Sequence, residues 1–229
     1  MAAPPPDGRA ARGEQTRQLI VDTALDLFRR QGYEGTTMRA IAQEAGVSVG
    51  NAYYYFDSKD HLVQAFYARS QDEHEAAARP VLDRERTFEA RLLGVLRARV
   101  DSMQAYHEFA ASFFRTAADP DSPLSPFSDS SAEARERSIG IYAEALHGSD
   151  AKVPPLLRER LPELLWLYSM GVVLYWVHDR SAGAAKTHRL VERTVPVVVR
   201  LVHLSRYRVL RGVVDDVVGL VDDLRGGAR

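Results

Sequence analysis

Apolar residues recur along nearly the whole chain at helical spacing, and no stretch shows the two-residue alternation of a half-buried strand. Ile20, Ala24, Leu27 and Phe28 stand at i, i+4, i+7 and i+8, one stripe of a first helix predicted over 14–31 and ended by Gly32. Thr37 is placed to cap a short second helix that carries Ile41 and Ala42 inward. Ala45-Gly46-Val47 makes a tight turn, with Gly46 free to take the left-handed backbone that a helix end often needs. Ser48 then caps a third helix through Asn51, Tyr53 and Tyr55. Asp57-Ser58 caps a fourth over 59–78, with Leu62, Ala65 and Phe66 facing inward. Its distal half, Gln71-Asp72-Glu73-His74-Glu75, is strongly polar and is followed by Pro80, which reads as a solvated connecting stalk.

The helical texture continues beyond Thr87. Leu92, Leu96, Val100, Met103, His107, Ala110 and Phe114 keep a 3.5-residue rhythm, with a possible break at 104–106. A Pro/Ser/Asp loop follows at 119–129, then a capping box Ser130-x-x-Glu133 that opens a helix to His147. An apolar helix is expected over 156–179, with Pro162 inside it, and Gly183 separates it from another over 184–205. A last amphipathic segment over 208–224 carries Val209, Val213, Val217, Leu220 and Leu224; whether it covers a bundle or packs on its own subunit is open. The fold class is all-α. The Pro/Gly/Ala-rich residues 1–13 read as a disordered tail, and Arg9 and Arg12 there leave two uses open, a solvated end or a basic arm reaching a minor groove.

Composition narrows the function. Of 229 residues, 45% are hydrophobic and 27% charged, an ordinary globular balance, and the absence of cysteine excludes disulfide and thiolate chemistry. The apolar runs 164–177 and 195–204 are too short to span a bilayer, and residues 1–13 lack a signal peptide's apolar core; the expected location is the cytoplasm, with no membrane partner. The enzymatic motifs fail in turn. His107-Glu108 is followed by Ala111 where a helical zinc site needs its second histidine, and the seven histidines show no ligand spacing. Asp215-Asp216 and Asp222-Asp223 lie on the polar face of an amphipathic segment, and neither a phosphate loop nor a nucleophile elbow occurs. No catalytic residue, metal or cofactor is expected.

Two short helices joined by a glycine-containing turn describe a helix-turn-helix, whose second helix enters the DNA major groove; an ordinary helical corner is the competing reading. Three consecutive tyrosines after the turn favour the first, because so short a helix cannot bury all of them. Net charge is −1, and Arg39 and Lys59 are balanced by Glu44 and Asp57, so binding by charge alone is not expected; hydroxyls and helix N-termini can still grip phosphates.

Residues 17–66 resemble the N-terminal domain of the TetR/AcrR family of transcriptional repressors. The resemblance rests on Gly32-Tyr33, Thr36-Thr37, Ile41-Ala42, Ala45-Gly46-Val47-Ser48, Gly50, Tyr53, Tyr55-Phe56 and Ser58-Lys59. The chain departs from the family at Ala52, where a larger aliphatic is usual, and at Val49, where many relatives carry Lys or Arg. The resemblance implies that Thr37 and Ser48 cap the two helices at the DNA and that Arg39 points to the groove. Arg39 suits guanine, though pairing with Glu34 or Asp57 is the alternative. It also implies that Val49, Gly50 and Asn51 lead the recognition helix. Asn51 suits adenine and Val49 a thymine methyl, while Tyr53, Tyr55 and Lys59 reach phosphates. Which of Tyr53, Tyr54 and Tyr55 faces the core is left open.

The family's organisation gives expected domains of 14–74, a three-helix DNA-binding unit, and 75–229, a larger helical ligand-binding and dimerisation unit joined to it by the fourth helix. Met103, Tyr106, His107, Phe113, Phe114, Trp166 and Met170 are candidate ligand residues, with plain core as the equal alternative. Leu167, Gly171, Leu174 and Tyr175 on one helix, and Leu190, Val198, Leu201 and Val202 on the next, offer more apolar surface than a monomer needs and are candidates for a homodimer interface. The expected function is a ligand-responsive regulator, a repressor that binds a palindromic operator on double-stranded DNA as a dimer and is released by a small lipophilic molecule. The alternative is a helical DNA-binding activator, or a protein-interaction scaffold, without an inducer.

Overall fold

A computed structural model describes residues 8–119 and 121–207, with Gly212, Asp216 and Gly219 beyond them. Nine α-helices and no strand occur among the described residues: α1 (Gly8–Gln31), α2 (Met38–Glu44), α3 (Val49–Tyr55), α4 (Lys59–Arg84), α5 (Phe88–Met103), α6 (His107–Ala117), α7 (Ala132–His147), α8 (Pro155–His178) and α9 (Ala185–Leu204). The segment 208–224, and the first seven residues of the expected tail, lie outside the described residues. The remainder of that tail is a correction: α1 begins at Gly8, not at 14.

Contacts divide the chain into two compact units, residues 1–69 with 106–132, and 70–105 with 133–229. This differs from the expected boundary at 74–75, because α6 and the loop after it return to the first unit. There α6 packs on α1, with the Phe109 ring 5.1 Å from Phe66 and 6.3 Å from Phe28. Phe113 stacks on Phe109 at 5.1 Å. Ile20, Ala24, Leu27 and Phe28 are all buried, as their spacing predicts, and Ile41, Ala42, Ala52, Phe56, Leu62 and Val63 join them in the same core. Surface ion pairs tie α1 to α2 (Arg30–Glu44, 2.7 Å) and to α6 (Arg29–Glu108, 2.7 Å). Such solvent-screened surface pairs contribute little, so the aromatic core decides the packing.

In the second unit, α5 packs on α8 and α9, which also pack on each other. Gly94 permits a close approach of α5 to α4, since a Cβ there would stand 2.2 Å from a Val81 methyl. Two buried polar groups hold helix ends. The Arg91 guanidinium donates to the carbonyls of Leu82 and Glu85 (2.9 Å to the latter) at the end of α4, and to those of Glu144 (2.8 Å) and Ala145 (2.9 Å) at the end of α7. One cation thereby binds carbonyls at two helix C-termini, one of which, Glu144, also accepts from Gly148 N at 3.0 Å. Gly148 leaves room for it, because a Cβ there would come within 2.3 Å of the guanidinium. Between α8 and α9, the buried Asp179 carboxylate accepts from Ser181 N (2.9 Å), Ser181 Oγ (2.6 Å), Thr187 N (2.8 Å) and Thr187 Oγ1 (2.7 Å). These donors hold its pKa far below the usual carboxylate range, although burial alone, the largest single influence, would raise it.

The stalk reading of 71–75 is also corrected. α4 continues through Pro80 to Arg84, and Gln71 and His74 are buried. Pro80 and Ala76, whose carbonyl loses its partner, are both exposed, so water can replace the missing bond. A 3-10 turn over Gln104–Tyr106 realises the expected break, and another over Asp129–Ser131 precedes α7, which starts at Ala132 in place of the helix expected from a Ser130 cap.

His74 gives the second unit a pH dependence. Its Nε2 faces the Val95 carbonyl at 3.0 Å, and burial, aided by the nearby Arg99 charge, lowers its pKa to about 3. The unfolded chain takes up a proton near the ordinary value of about 6.5 while the folded chain does not, so stability is lost as pH falls. Between about pH 6.5 and 4 the loss should approach about 1.4 kcal/mol per pH unit. The contribution of Asp179 begins to disappear only below about pH 4, where the unfolded chain's aspartate protonates. Denaturant melts across this range should show the slope, and His74→Gln should flatten it between pH 6.5 and 4.

Candidate nucleic-acid interface

The turn that defines this site is built by its caps. Thr37 has extended backbone, and its hydroxyl accepts from Ala40 N at 3.2 Å. Ser48 does the same for α3, accepting from Asn51 N at 3.1 Å. Gly46 takes φ +67° and lets Val47 N return to the Ala42 carbonyl at 3.0 Å. A side chain at Gly46 would meet no neighbour, so the backbone and not space requires glycine.

Only Ala52 of α3 is buried, and Phe56 follows it into the core. The small side chain at 52 is therefore the contact by which the helix docks. Val49, Gly50, Tyr53 and Tyr54 are exposed, and Asn51 and Tyr55 are half-buried. Tyr55 packs against the core, which answers the open question about the three tyrosines. Tyr54 is the most exposed at 81%, against 48% for Tyr53, and its ring meets Tyr55 edge-on at 5.1 Å. Sequence reasoning passed over Tyr54. Thr37, Arg39 and Ser48 are exposed beside this face, and Arg39 makes no ion pair among the described residues, neither with Glu34 nor with Asp57.

Lys59 is more tightly held than a free surface cation. Its Nζ donates to the Tyr33 carbonyl at 2.7 Å and lies 4.3 Å from the centroid of the Tyr33 ring. The Tyr33 hydroxyl in turn hydrogen-bonds Asp60, and burial together with that carboxylate raises its pKa. Tyr33 thus clamps the α1–α2 loop to the start of α4. The Gly-Tyr pair before Thr36-Thr37 was the available signal, but nothing local in the sequence pairs 33 with 59 and 60.

The candidate ligand residues are not brought together in one unit. Met103, Trp166 and Met170 belong to the second, with Trp166 buried. Tyr106, His107, Phe113 and Phe114 belong to the first, where Phe113 is core and Tyr106 meets Phe66 edge-on at 5.0 Å. The turn at 104–106 shifts the helical phase, so the continuous rhythm read through Phe114 does not hold. Inside the second unit lies a polar group the sequence did not reveal. His74 and Tyr142 are wholly buried, and the His74 Nδ1 and Tyr142 hydroxyl lack hydrogen-bond partners. Ser169 Oγ is near enough to lower the Tyr142 pKa, but it donates to the Trp166 carbonyl at 2.7 Å and makes no hydrogen bond of normal geometry to Tyr142. Burial pushes Tyr142 up to about 12, and Arg99 stands close enough to act on both Tyr142 and His74.

Of the candidate interface residues, Gly171, Leu174, Tyr175 and Leu201 are exposed, and Leu167, Leu190 and Val198 are half-buried. Val202 is corrected: at 5% exposed it belongs to an inward stripe with Val191, Val195 and Val199, spaced at i, i+4, i+8 and i+11. Val197 and Leu204, not singled out before, are exposed on the same helix.

No described helix is long and apolar enough to cross a membrane. The family model "Bacterial regulatory proteins, tetR family" matches residues 20–66, and "Tetracyclin repressor-like, C-terminal domain" matches 91–220. The HTH-type transcriptional regulator SrpR of Pseudomonas putida is 40% identical over 89 residues, 39% of this chain and 42% of that protein, so the match spans under half of that relative. The HTH-type transcriptional repressor KstR of Rhodococcus jostii is 27% identical over 191 residues, 81% of this chain and 84% of that one. Among solved structures, the transcriptional regulator FadR of Bacillus subtilis in complex with stearoyl-CoA aligns with a TM-score of 0.62 at 16% identity, covering 78% of this chain and 96% of that one; it is similar in fold. With a helix-turn-helix of this geometry, and a family model that matches more than half of its length, the chain belongs to the TetR family of transcriptional regulators.

Proposed function

We propose that this regulator is a repressor that acts in the cytoplasm, binds a palindromic operator as a homodimer, and is released by a small lipophilic molecule. The observation that carries the DNA part is the exposed face of a doubly capped turn: Val49, Gly50 and Asn51 lead α3 while Ala52 anchors it. In this reading Asn51 reads a base, Arg39 a guanine edge, and Thr37, Ser48, Tyr53, Tyr55 and Lys59 meet the backbone. Tyr54 joins them by its exposure.

Lys59 has two roles that variants separate. Lys59→Met should lower the melting temperature by removing a charge-assisted hydrogen bond, of order 1–2 kcal/mol, and should also reduce the salt slope of operator binding by about 0.9 per protomer. Tyr33→Phe removes only the bond to Asp60, so it should lower stability and leave that slope unchanged. Equal slopes for all three proteins would remove Lys59 from the phosphate contacts.

The exposed apolar residues of α8 and α9 support the homodimer, with Leu201 63% exposed. Burying such residues contributes about 1.5–3 kcal/mol per large side chain. Selection of bound fragments from random DNA should return an inverted repeat with half-sites about one helical turn apart, or a multiple of it. Leu201→Glu should sediment as a monomer and lose tight binding to that repeat. A monomeric wild type at micromolar concentration, or an asymmetric selected site, would contradict the dimer.

For the effector, the unpartnered polar atoms of His74 and Tyr142 support a site inside the second unit, with Trp166 and Met170 as apolar candidates on α8. That a FadR structure of the same fold holds stearoyl-CoA makes long-chain acyl-CoA a reasonable first probe, beside other lipophilic compounds. Release requires the ligand to prefer the DNA-incompetent form, and a tenfold loss of operator affinity corresponds to a preference of about 1.4 kcal/mol. Compounds that raise the melting temperature should also lower operator affinity, and Tyr142→Phe should weaken both effects together. Stabilising compounds that leave operator binding untouched would refute induction and favour the activator reading.

A further inference from the structure

The first three turns of α1 are longer than the core requires. The buried stripe starts at Ile20, and none of residues 10–19 is buried. Even so, the helix runs from Gly8. No acid occurs in the first turn, where Arg9 stands, and over the turns before Leu19 Arg9, Arg12 and Arg17 outnumber Glu14. A helix N-terminus carries a partial positive charge, so arginine there weakens the helix by a few tenths of a kcal/mol. Core burial does not call for these turns, and the dipole does not favour the Arg9 that opens them.

The position of these turns offers another explanation. Gly13 lies against the end of the recognition helix, where a Cβ would stand 3.6 Å from the Tyr55 hydroxyl. The Arg17 guanidinium sits 5.2 Å from the centroid of the Phe56 ring. Glu14 is engaged by Gln18 at 2.9 Å and by Arg17 at 3.8 Å, whereas Arg12 is exposed and makes no ion pair among the described residues. The Arg12 carbonyl accepts from Thr16 Oγ1 at 2.9 Å, which ties the turn bearing it to the next one. A cation is thus carried on an ordered helix beside the C-terminal end of α3, not on a loose arm.

We infer that Arg12 contacts the sugar-phosphate backbone of the operator beside the end of α3, extending the footprint beyond the helix-turn-helix. This rests on the reading of α3 as the recognition helix. A cation meeting phosphate carries no base information, so its loss weakens every sequence alike. The basic-arm alternative, insertion into a minor groove, would instead depend on local base composition and groove width.

The test measures operator affinity of the full chain across a potassium chloride series for wild type, Arg12→Ala, Arg12→Gln and Arg12→Lys, with melting temperatures as the folding control. Loss of one contact per protomer should lower the slope of log affinity against log salt by about 1.8 for a dimer, and should weaken binding about 30-fold at 0.15 M. Arg12→Lys should restore both, and all four proteins should melt within a degree or two of each other. Wild-type slope and affinity in Arg12→Ala and Arg12→Gln would overturn the inference while leaving the α3 reading intact. So would a loss confined to operators with an A·T-rich flank, or one that Lys fails to restore, since either marks minor-groove reading. A wild type without salt-dependent, sequence-selective binding would overturn the inference together with the α3 reading.

Discussion

A helix of seven residues makes too few backbone hydrogen bonds to persist alone in water, and both α2 and α3 have that length. Their existence depends on burial in the core they share with α1. Ile41 and Ala42 supply it for α2, and Ala52 with Phe56 for α3. Once Ala52 is fixed against the core, the 100° step between helical residues determines the rest of the surface: Tyr55 turns half inward while Tyr53 and Tyr54 turn out. The hydroxyls of Thr37 and Ser48 then set where each helix starts, and Gly46 sets the angle between them. The candidate DNA-reading face is a consequence of packing and capping together.

The second unit answers a different constraint, how to end helices inside a packed bundle. Arg91 closes the ends of α4 and α7 at once, and Asp179 organises the turn into α9 with four hydrogen bonds. Both groups are costly to bury and are fully engaged, as buried charges must be. His74 and Tyr142 are buried as neutral groups, and each leaves one polar atom unmet. An unmet polar atom in a bundle interior marks a place where water or a ligand's polar group belongs, which is why the effector reading centres there.

The sequence made the helix-turn-helix legible almost residue by residue, because its signals are local: a cap three residues from the N–H it holds, a glycine in the turn, an apolar stripe at helical spacing. The first unit's completion by α6 was hidden, because 106–117 continues the rhythm of α5 and only the three-residue turn at Gln104–Tyr106 redirects it. Burial of His74 was hidden for a similar reason. Gln71 to Glu75 is polar by composition, and only tertiary packing turns Gln71 and His74 inward while Asp72 stays out. On α9, Val202 lies one residue from the exposed Leu201, so one step in helical phase decided between core and surface. Tyr33 and Lys59, 26 residues apart, meet only in the folded chain.

The central claim, that two copies of α3 read a symmetric operator from their leading residues, is tested most directly by footprinting the selected operator with wild type and Asn51→Ala. The account predicts two protected half-sites related by a two-fold axis, with Asn51→Ala relaxing base preference at one equivalent pair in each half, costing about 1–3 kcal/mol, and leaving the salt slope unchanged. A single asymmetric footprint, or a variant that weakens all sequences equally and lowers the salt slope, would contradict it.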